Sequence, residues 1–306
     1  MARLQKPRAL GRDATLGIAA PASPVDRESL EAGAEALRAL GFRVSWRDGV
    51  LARRGYLAGD DARRAAELMA LVRDPGVDAI VCARGGYGCD RMLPLLDAGA
   101  VRAAAKPLVG YSDVTALLLW QQRRAGLTGF HGPMLDRGAD LEPAALESLA
   151  AQLRGQAPRL TLRGRPRLGG SASGRLVGGS LTLVAASIGT PWEVPTRGAL
   201  LMLEERGERP YRVDRMLQQL RGAGKLAGLA GVGLGDVSTC VEPDPTAPGT
   251  LDVIEEVLRP LGVPLVTDLP FGHLRGNFPW PTGARATLDG ERGELRVLER
   301  GVALTP

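Results

Sequence analysis

From Ala14 to Pro133 the chain repeats one pattern: a short apolar run, a turn marked by Gly or Pro, then a stretch with helical period. ATLGIAAP (14–21) precedes the amphipathic RESLEAGAEALRAL (27–40), ended by Gly41, and FRVSWR (42–47) follows. DDARRAAELMALVRD (60–74) leads to the buried-type run DAIVCAR (78–84), KPLVGYS (106–112) leads into DVTALLLWQQRRAG (113–126), and LTGFHGP (127–133) closes the series. Strands alternating with helices imply parallel strands joined by crossover helices, that is, a doubly wound sheet. Such sheets bind ligands beyond the carboxyl ends of their strands. Those ends carry AAPASP (19–24), ARGGYG (83–88) and GYSD (110–113), so these three turns are expected to gather at one edge as the candidate site.

The pattern changes after residue 155. QAPRLTLRGRPRLGGSAS (156–173) is rich in Arg, Pro and Gly, has no helical period, and reads as a linker with a short strand in it. Beyond it come GRLVGGSLTLVAASIG (174–189), the apolar run GALLMLEE (198–205), a helix over 211–224, the strand-like GLAGVGLGDV (228–237), a helix over 251–262, and PLVTDLPFGH (264–273). RATLDGERGELRVLE (285–299) alternates apolar and polar residues around DGERG and reads as a hairpin. The expected fold is α/β. An amino-terminal, doubly wound, mostly parallel sheet occupies 1–155, and a carboxy-terminal mixed α/β domain with a β-barrel-like part occupies 174–306.

Composition excludes several function classes. A chain of 306 residues suits two domains better than one core. Its longest apolar runs are broken by Gly, Ser and Thr and fall short of the ~20 residues a membrane helix needs. The apolar run nearest the amino terminus, 14–21, reads as a first strand rather than a secretory signal, so a cytoplasmic protein is expected. Three cysteines, Cys82, Cys89 and Cys240, suit reduced thiols better than a disulfide framework. The net charge of +5 is spread along the chain beside acidic residues, with only three lysines among 39 basic residues, so no polybasic stripe points to nucleic acid. H-E-x-x-H is absent and the cysteines lack zinc spacing, so neither a metal nor another cofactor is expected.

Taken alone, Ser112 reads more readily as a helix cap than as a nucleophile. GYSD departs from G-x-S-x-G, with Val114 in place of the second glycine. A serine on a strand-turn-helix junction nevertheless offers an exposed hydroxyl beside amide N–H groups. The chain has two histidines, His131 in GFHGPM and His273 in PFGHLRGN. His131 serves equally as a strand-end structural residue. Glu204 ends a run of apolar residues, where a carboxylate wants a partner, but Glu204 and Glu205 also read as strand-end charges for nearby arginines. RGGYG is not G-x-G-x-x-G, and GRLVGGS has Ser180 where a Walker lysine is required, so nucleotide binding is poorly supported.

Together, IAAPASPVD, VCARGGYGCDRMLPLLD, KPLVGYSDVTALLLW, FHGPM, GRLVGGSLTLVAASIGTPWE, LLMLEERGERPYRVDRMLQQL and LPFGHLRGNFPWPTGARATLD resemble the LD-carboxypeptidases, a serine-peptidase family that includes microcin self-immunity peptidases. The resemblance implies a Ser-His-Glu triad, falling on Ser112, His273 and Glu204, with an oxyanion hole placed at the backbone amides of Gly86 and Asp113. It implies hydrolysis of the L,D-amide before the terminal D-alanine of cytoplasmic murein tetrapeptides. The alternative is a microcin-type cleavage of a peptidyl- or aminoacyl-nucleotide amide. It also implies a homodimer whose partner is a small peptide substrate, with no nucleic acid and no membrane. Arg84 is a candidate for the substrate's terminal carboxylate. FPWPTG departs from the family's Leu-Pro-x-Gly near Trp280, which puts the pocket wall there in question, and Glu205 stays open as the alternative acid.

Overall fold

The computed structural model describes residues 4–157 and 159–304. They separate into two compact units, each discontinuous: 4–157, 275–282 and 300–304 form one, and 159–274 with 283–299 form the other.

The first unit is built on β1 (Thr15–Ala19), β2 (Arg43–Trp46), β3 (Ala79–Cys82), β4 (Leu108–Gly110) and β5 (Phe130–His131). β1, β3 and β4 are buried at every position, as expected of parallel strands covered on both faces. The order is β2-β1-β3-β4-β5, all parallel, with the strand Trp280–Pro281 added antiparallel at the β5 edge. The chain thus moves outward in opposite directions from β1 and β3, and their carboxyl ends flank a topological switch point. The crossover helices begin where the sequence supplies caps: Asp26 accepts the Ser29 amide at 2.7 Å, and Asp60 accepts the Arg63 amide at 2.7 Å. Helix Arg27–Ala39 buries Leu30, Gly33, Ala34 and Leu37, a single face at helical spacing.

The second unit holds β6 (Leu160–Arg163), β7 (Arg165–Leu168), β8 (Ser171–Ser180), β9 (Ala199–Glu204), β10 (Gly231–Leu234) and β11 (Leu265–Thr267). Counting Trp280–Pro281 as β12, the hairpin that follows is β13 (Arg285–Asp289) and β14 (Glu294–Val297), with Asp289 opposite Glu294. The eight strands run β6-β14-β13-β8-β9-β10-β11-β7, and β8 to β11 are parallel. Within 156–173, read from sequence as a linker with a short strand in it, lie β6 and β7, the two ends of this sheet, and the start of β8. Only Gly164 separates β6 from β7. Eight strands ~4.8 Å apart would put the edges of a flat sheet ~34 Å apart, whereas one intervening residue spans only ~7 Å. The sheet must curl until its edges meet, which is the barrel-like feature of this unit.

Candidate functional site

Ser112 stands between β4 and helix Val114–Trp120 with φ +59°, a left-handed conformation rare for a side chain larger than glycine. Asp113, not Ser112, occupies the helix cap position and makes no cap bond with its side chain. Ser112 is partly exposed while Tyr111 and Asp113 on either side are buried. The missing second glycine of the serine motif has a physical replacement. A Cβ on Gly110 would lie 2.6 Å from Val114 Cγ1, so the glycine before the serine makes the room that Val114 occupies after it.

The RGGYG loop closes on this turn. A Cβ on Gly85 would stand 2.9 Å from Ser112 Cβ and 3.0 Å from its Oγ, so glycine at 85 is what lets the loop approach the serine. Ser23, on the turn after β1, donates its amide to the Gly85 carbonyl at 3.0 Å, and its Oγ accepts the Tyr87 amide at 3.2 Å. The three turns expected at one edge of the sheet are thus joined through the RGGYG loop, which contacts the other two. Gly86 lies within this cluster at φ +98°. The Asp113 carboxylate, buried in the unit, accepts the Cys89 amide at 2.8 Å and ties the loop to the residue after Ser112. Burial pushes this carboxyl above the usual range, with the Cys89 bond opposing the shift. Arg84 is exposed and donates to the Pro24 carbonyl at 2.9 Å.

In the second unit, Glu204 ends β9 and His273 follows β11, both at the carboxyl ends of the parallel strands β9, β10 and β11. Phe271, fully buried, holds the histidine loop: its carbonyl accepts the Asp236 amide at 2.9 Å. His273 Nδ1 meets Glu204 Oε2 at 2.6 Å, with the Glu204 side chain fully buried and that of His273 10% exposed. Burial drives the Glu204 carboxyl above its ordinary range, the His273 contact pulls it back, and Glu205 and Asp236 push it further up. Glu205 turns elsewhere: it accepts the Thr182 amide at 2.7 Å and the Arg206 amide at 2.9 Å. Of the two adjacent glutamates, Glu204 is the partner of the histidine.

His131 is fully buried in the first unit, its ring stacked on Trp280 at 5.0 Å between centroids and 11° between planes. Trp280 is itself fully buried on the edge strand, so the departure at FPWPTG alters a packed contact rather than an exposed wall. Sequence reasoning missed Ser23, the bond between Cys89 and Asp113, and Arg64. Arg64 could have been found, because it falls on the same helical stripe as Ala65, Leu68, Met69 and Val72, where an arginine is out of place unless it has buried partners.

Residues 16–132 match the LD-carboxypeptidase N-terminal domain, and residues 173–288 match the LD-carboxypeptidase C-terminal domain. A probable murein peptide carboxypeptidase of Bacillus subtilis is 36% identical over 97% of this chain and 95% of its own length. The murein tetrapeptide carboxypeptidase of Pseudomonas aeruginosa is 34% identical over 92% and 94%. Among solved structures, a muramoyltetrapeptide carboxypeptidase from Oxalobacter formigenes superposes with a TM-score of 0.84 at 29% identity, covering 93% of this chain and 98% of that one. MccF in complex with glutamyl sulfamoyl guanosine reaches 0.87 at 22% identity, over 98% and 100%, and shares the fold.

Proposed function

The chain belongs to the LD-carboxypeptidase family of peptidases, and from that premise we propose that it is a serine-type enzyme hydrolysing the L,D-amide before the terminal D-alanine of murein tetrapeptides. The observation that carries this reading is the buried Glu204 carboxylate on Nδ1 of His273. An imidazole whose Nδ1–H is held by a carboxylate presents Nε2 as a base, the tautomer a serine nucleophile requires. Ser112, on its left-handed turn, is the nucleophile.

In the proposed reaction, His273 Nε2 takes the Ser112 hydroxyl proton as Oγ attacks the scissile carbonyl. The amides of Gly86 and Asp113 stabilise the developing oxyanion. The imidazolium returns its proton to the leaving D-alanine amine, and a water activated by the same histidine releases the acyl group. Throughout, Glu204 stays ionised and offsets the imidazolium charge. Arg84 receives the free carboxylate of the substrate. The murein substrate is preferred to a nucleotide conjugate because the murein carboxypeptidase of P. aeruginosa is 34% identical to this chain while the microcin C7 self-immunity protein of Escherichia coli is 23% identical. Cytoplasmic recycling and a homodimer complete the proposal on the strength of the resemblance.

The test is D-alanine release from tetrapeptide, followed by mass beside the Ser112→Ala variant, with an aminoacyl-sulfamoyl adenosine as second substrate. Release by the wild type and none by the variant is expected. Cleavage of the nucleotide conjugate alone would give the microcin-type alternative, and release that survives Ser112→Ala would remove the serine mechanism.

A further inference from the structure

Arg64 is the fourth residue of helix Asp61–Arg73, and its side chain is fully buried. Its Nη1 donates to the Gly88 carbonyl at 2.8 Å and also to the Pro21 carbonyl, and its Nη2 pairs with Asp61. Pro21 lies on the turn after β1 and Gly88 on the turn after β3. The approach depends on glycine, since Gly88 has φ +134° and a Cβ there would stand 2.8 Å from Nη1.

The Gly88 carbonyl and the Cys89 N–H are the two ends of one peptide group. The carbonyl points to the Arg64 guanidinium, and the N–H donates to the Asp113 carboxylate at 2.8 Å. A cation, a peptide dipole and an anion are therefore aligned in series, each bond charge-assisted and each buried, where such bonds are strongest. Asp113 is the residue after Ser112. From this alignment we propose that Arg64 is a positioning residue for hydrolysis. Through the 88–89 peptide it fixes Asp113, and by bracketing both turns it fixes the loop that carries Gly86. This rests on the assignment of the Gly86 and Asp113 amides in the proposed mechanism.

A misplacement of ~1 Å in such a site costs ~100-fold in rate. Arg64→Met is therefore expected to lower kcat by about 100-fold with KM changed by less than about threefold, the pattern of an interaction made in the transition state. Arg64→Lys keeps the charge but has one nitrogen where arginine uses Nη1 for the two carbonyls and Nη2 for Asp61, so it is expected to recover only part of the loss; it also serves if Arg64→Met does not fold. Because the two side chains share one peptide, the effects of Arg64→Met and Asp113→Asn on kcat are expected not to multiply in the double variant. Arg102→Met is the matched control. Arg102 also donates to backbone carbonyls, those of Ala125 and Gly126, but touches neither turn, and its loss is expected to leave kcat unchanged.

Amide hydrogen exchange reads the bracket independently of activity: Arg64→Met is expected to speed exchange at the Ala22 and Ser23 amides and in 84–89 and nowhere else in the unit. Unchanged exchange there overturns the bracket. Faster exchange with wild-type kcat overturns the positioning role. A wild type inert toward tetrapeptide overturns the functional assignment and the positioning role with it, while the exchange result still decides whether Arg64 holds the loops.

Discussion

Replacing Glu204 by Gln removes one charge and almost no volume, so it isolates what the carboxylate does for the imidazole. The 2.6 Å contact between Glu204 Oε2 and His273 Nδ1 places the centres of carboxylate and ring close together in a buried setting. For a carboxylate and an imidazolium ~4 Å apart, an effective dielectric of ~20 gives about 4 kcal/mol of attraction. In the proposed mechanism that attraction is gained as the imidazole takes the serine proton, so it belongs to the transition state. About 4 kcal/mol corresponds to roughly a 1000-fold fall in kcat. A glutamine can also turn its amide toward Nδ1 as a donor, which selects the tautomer with a proton on Nε2 and adds to the loss. The assay is D-alanine release under saturating tetrapeptide, with a thermal melt to show that the fold is intact. Glu205→Gln is the internal comparison, expected to cost less than about tenfold because Glu205 serves the Thr182 and Arg206 amides instead. The reasoning is refuted if a folded Glu204→Gln protein keeps kcat within tenfold of wild type, or if Glu205→Gln is the more damaging change.

The same substitution has a pH signature in stability. Burial raises the folded-state pKa of Glu204, so the stability it contributes is full below the unfolded carboxylate range and is lost as pH rises through the folded value; melts from pH 4 to 8 are expected to show Glu204→Gln gaining on wild type as pH rises. Ser112 at φ +59° predicts that Ser112→Gly is more stable than Ser112→Ala by about 1 kcal/mol, since both lack the hydroxyl and only alanine keeps the strain, and denaturant melts compare them. Gly85→Ala would push a methyl to 2.9 Å from Ser112 Cβ, and is expected to lower kcat by about 10- to 100-fold in the tetrapeptide assay with the fold retained. Burial pushes the Cys82 and Cys89 thiols up, and that of Cys240 to about 11, so a thiol reagent is expected to find all three unreactive in the native protein and all three reactive in denaturant.

How far the sequence carries is decided by where each residue's partner comes from. TLGIA and AIVC announce buried strands because both faces are covered whatever the neighbours are, and Asp26 and Asp60 announce helix starts because a cap bonds within its own turn. The gathering of AAPASP, RGGYG and GYSD follows from parallel strands alone. The strand Trp280–Pro281 has no such signal: two residues carry no period, and it is a strand only because β5 has an open edge. β6 and β7 read as linker because edge strands expose most of their side chains, so Arg and Pro are admitted where a central strand refuses them. The site divides along the same line. Ser112 was recognisable on its junction, whereas the strain at its backbone and the use of Gly110 to seat Val114 depend on how tightly that junction turns. Glu204 is the last residue of β9 and Glu205 the one after it, so nothing local separates them, and only His273, 69 positions further on, decides which of them meets an imidazole. Arg64 is the sharpest case, because its place on an apolar stripe is local while its purpose is set by Gly88 and by Asp113, which meets the far end of the same peptide.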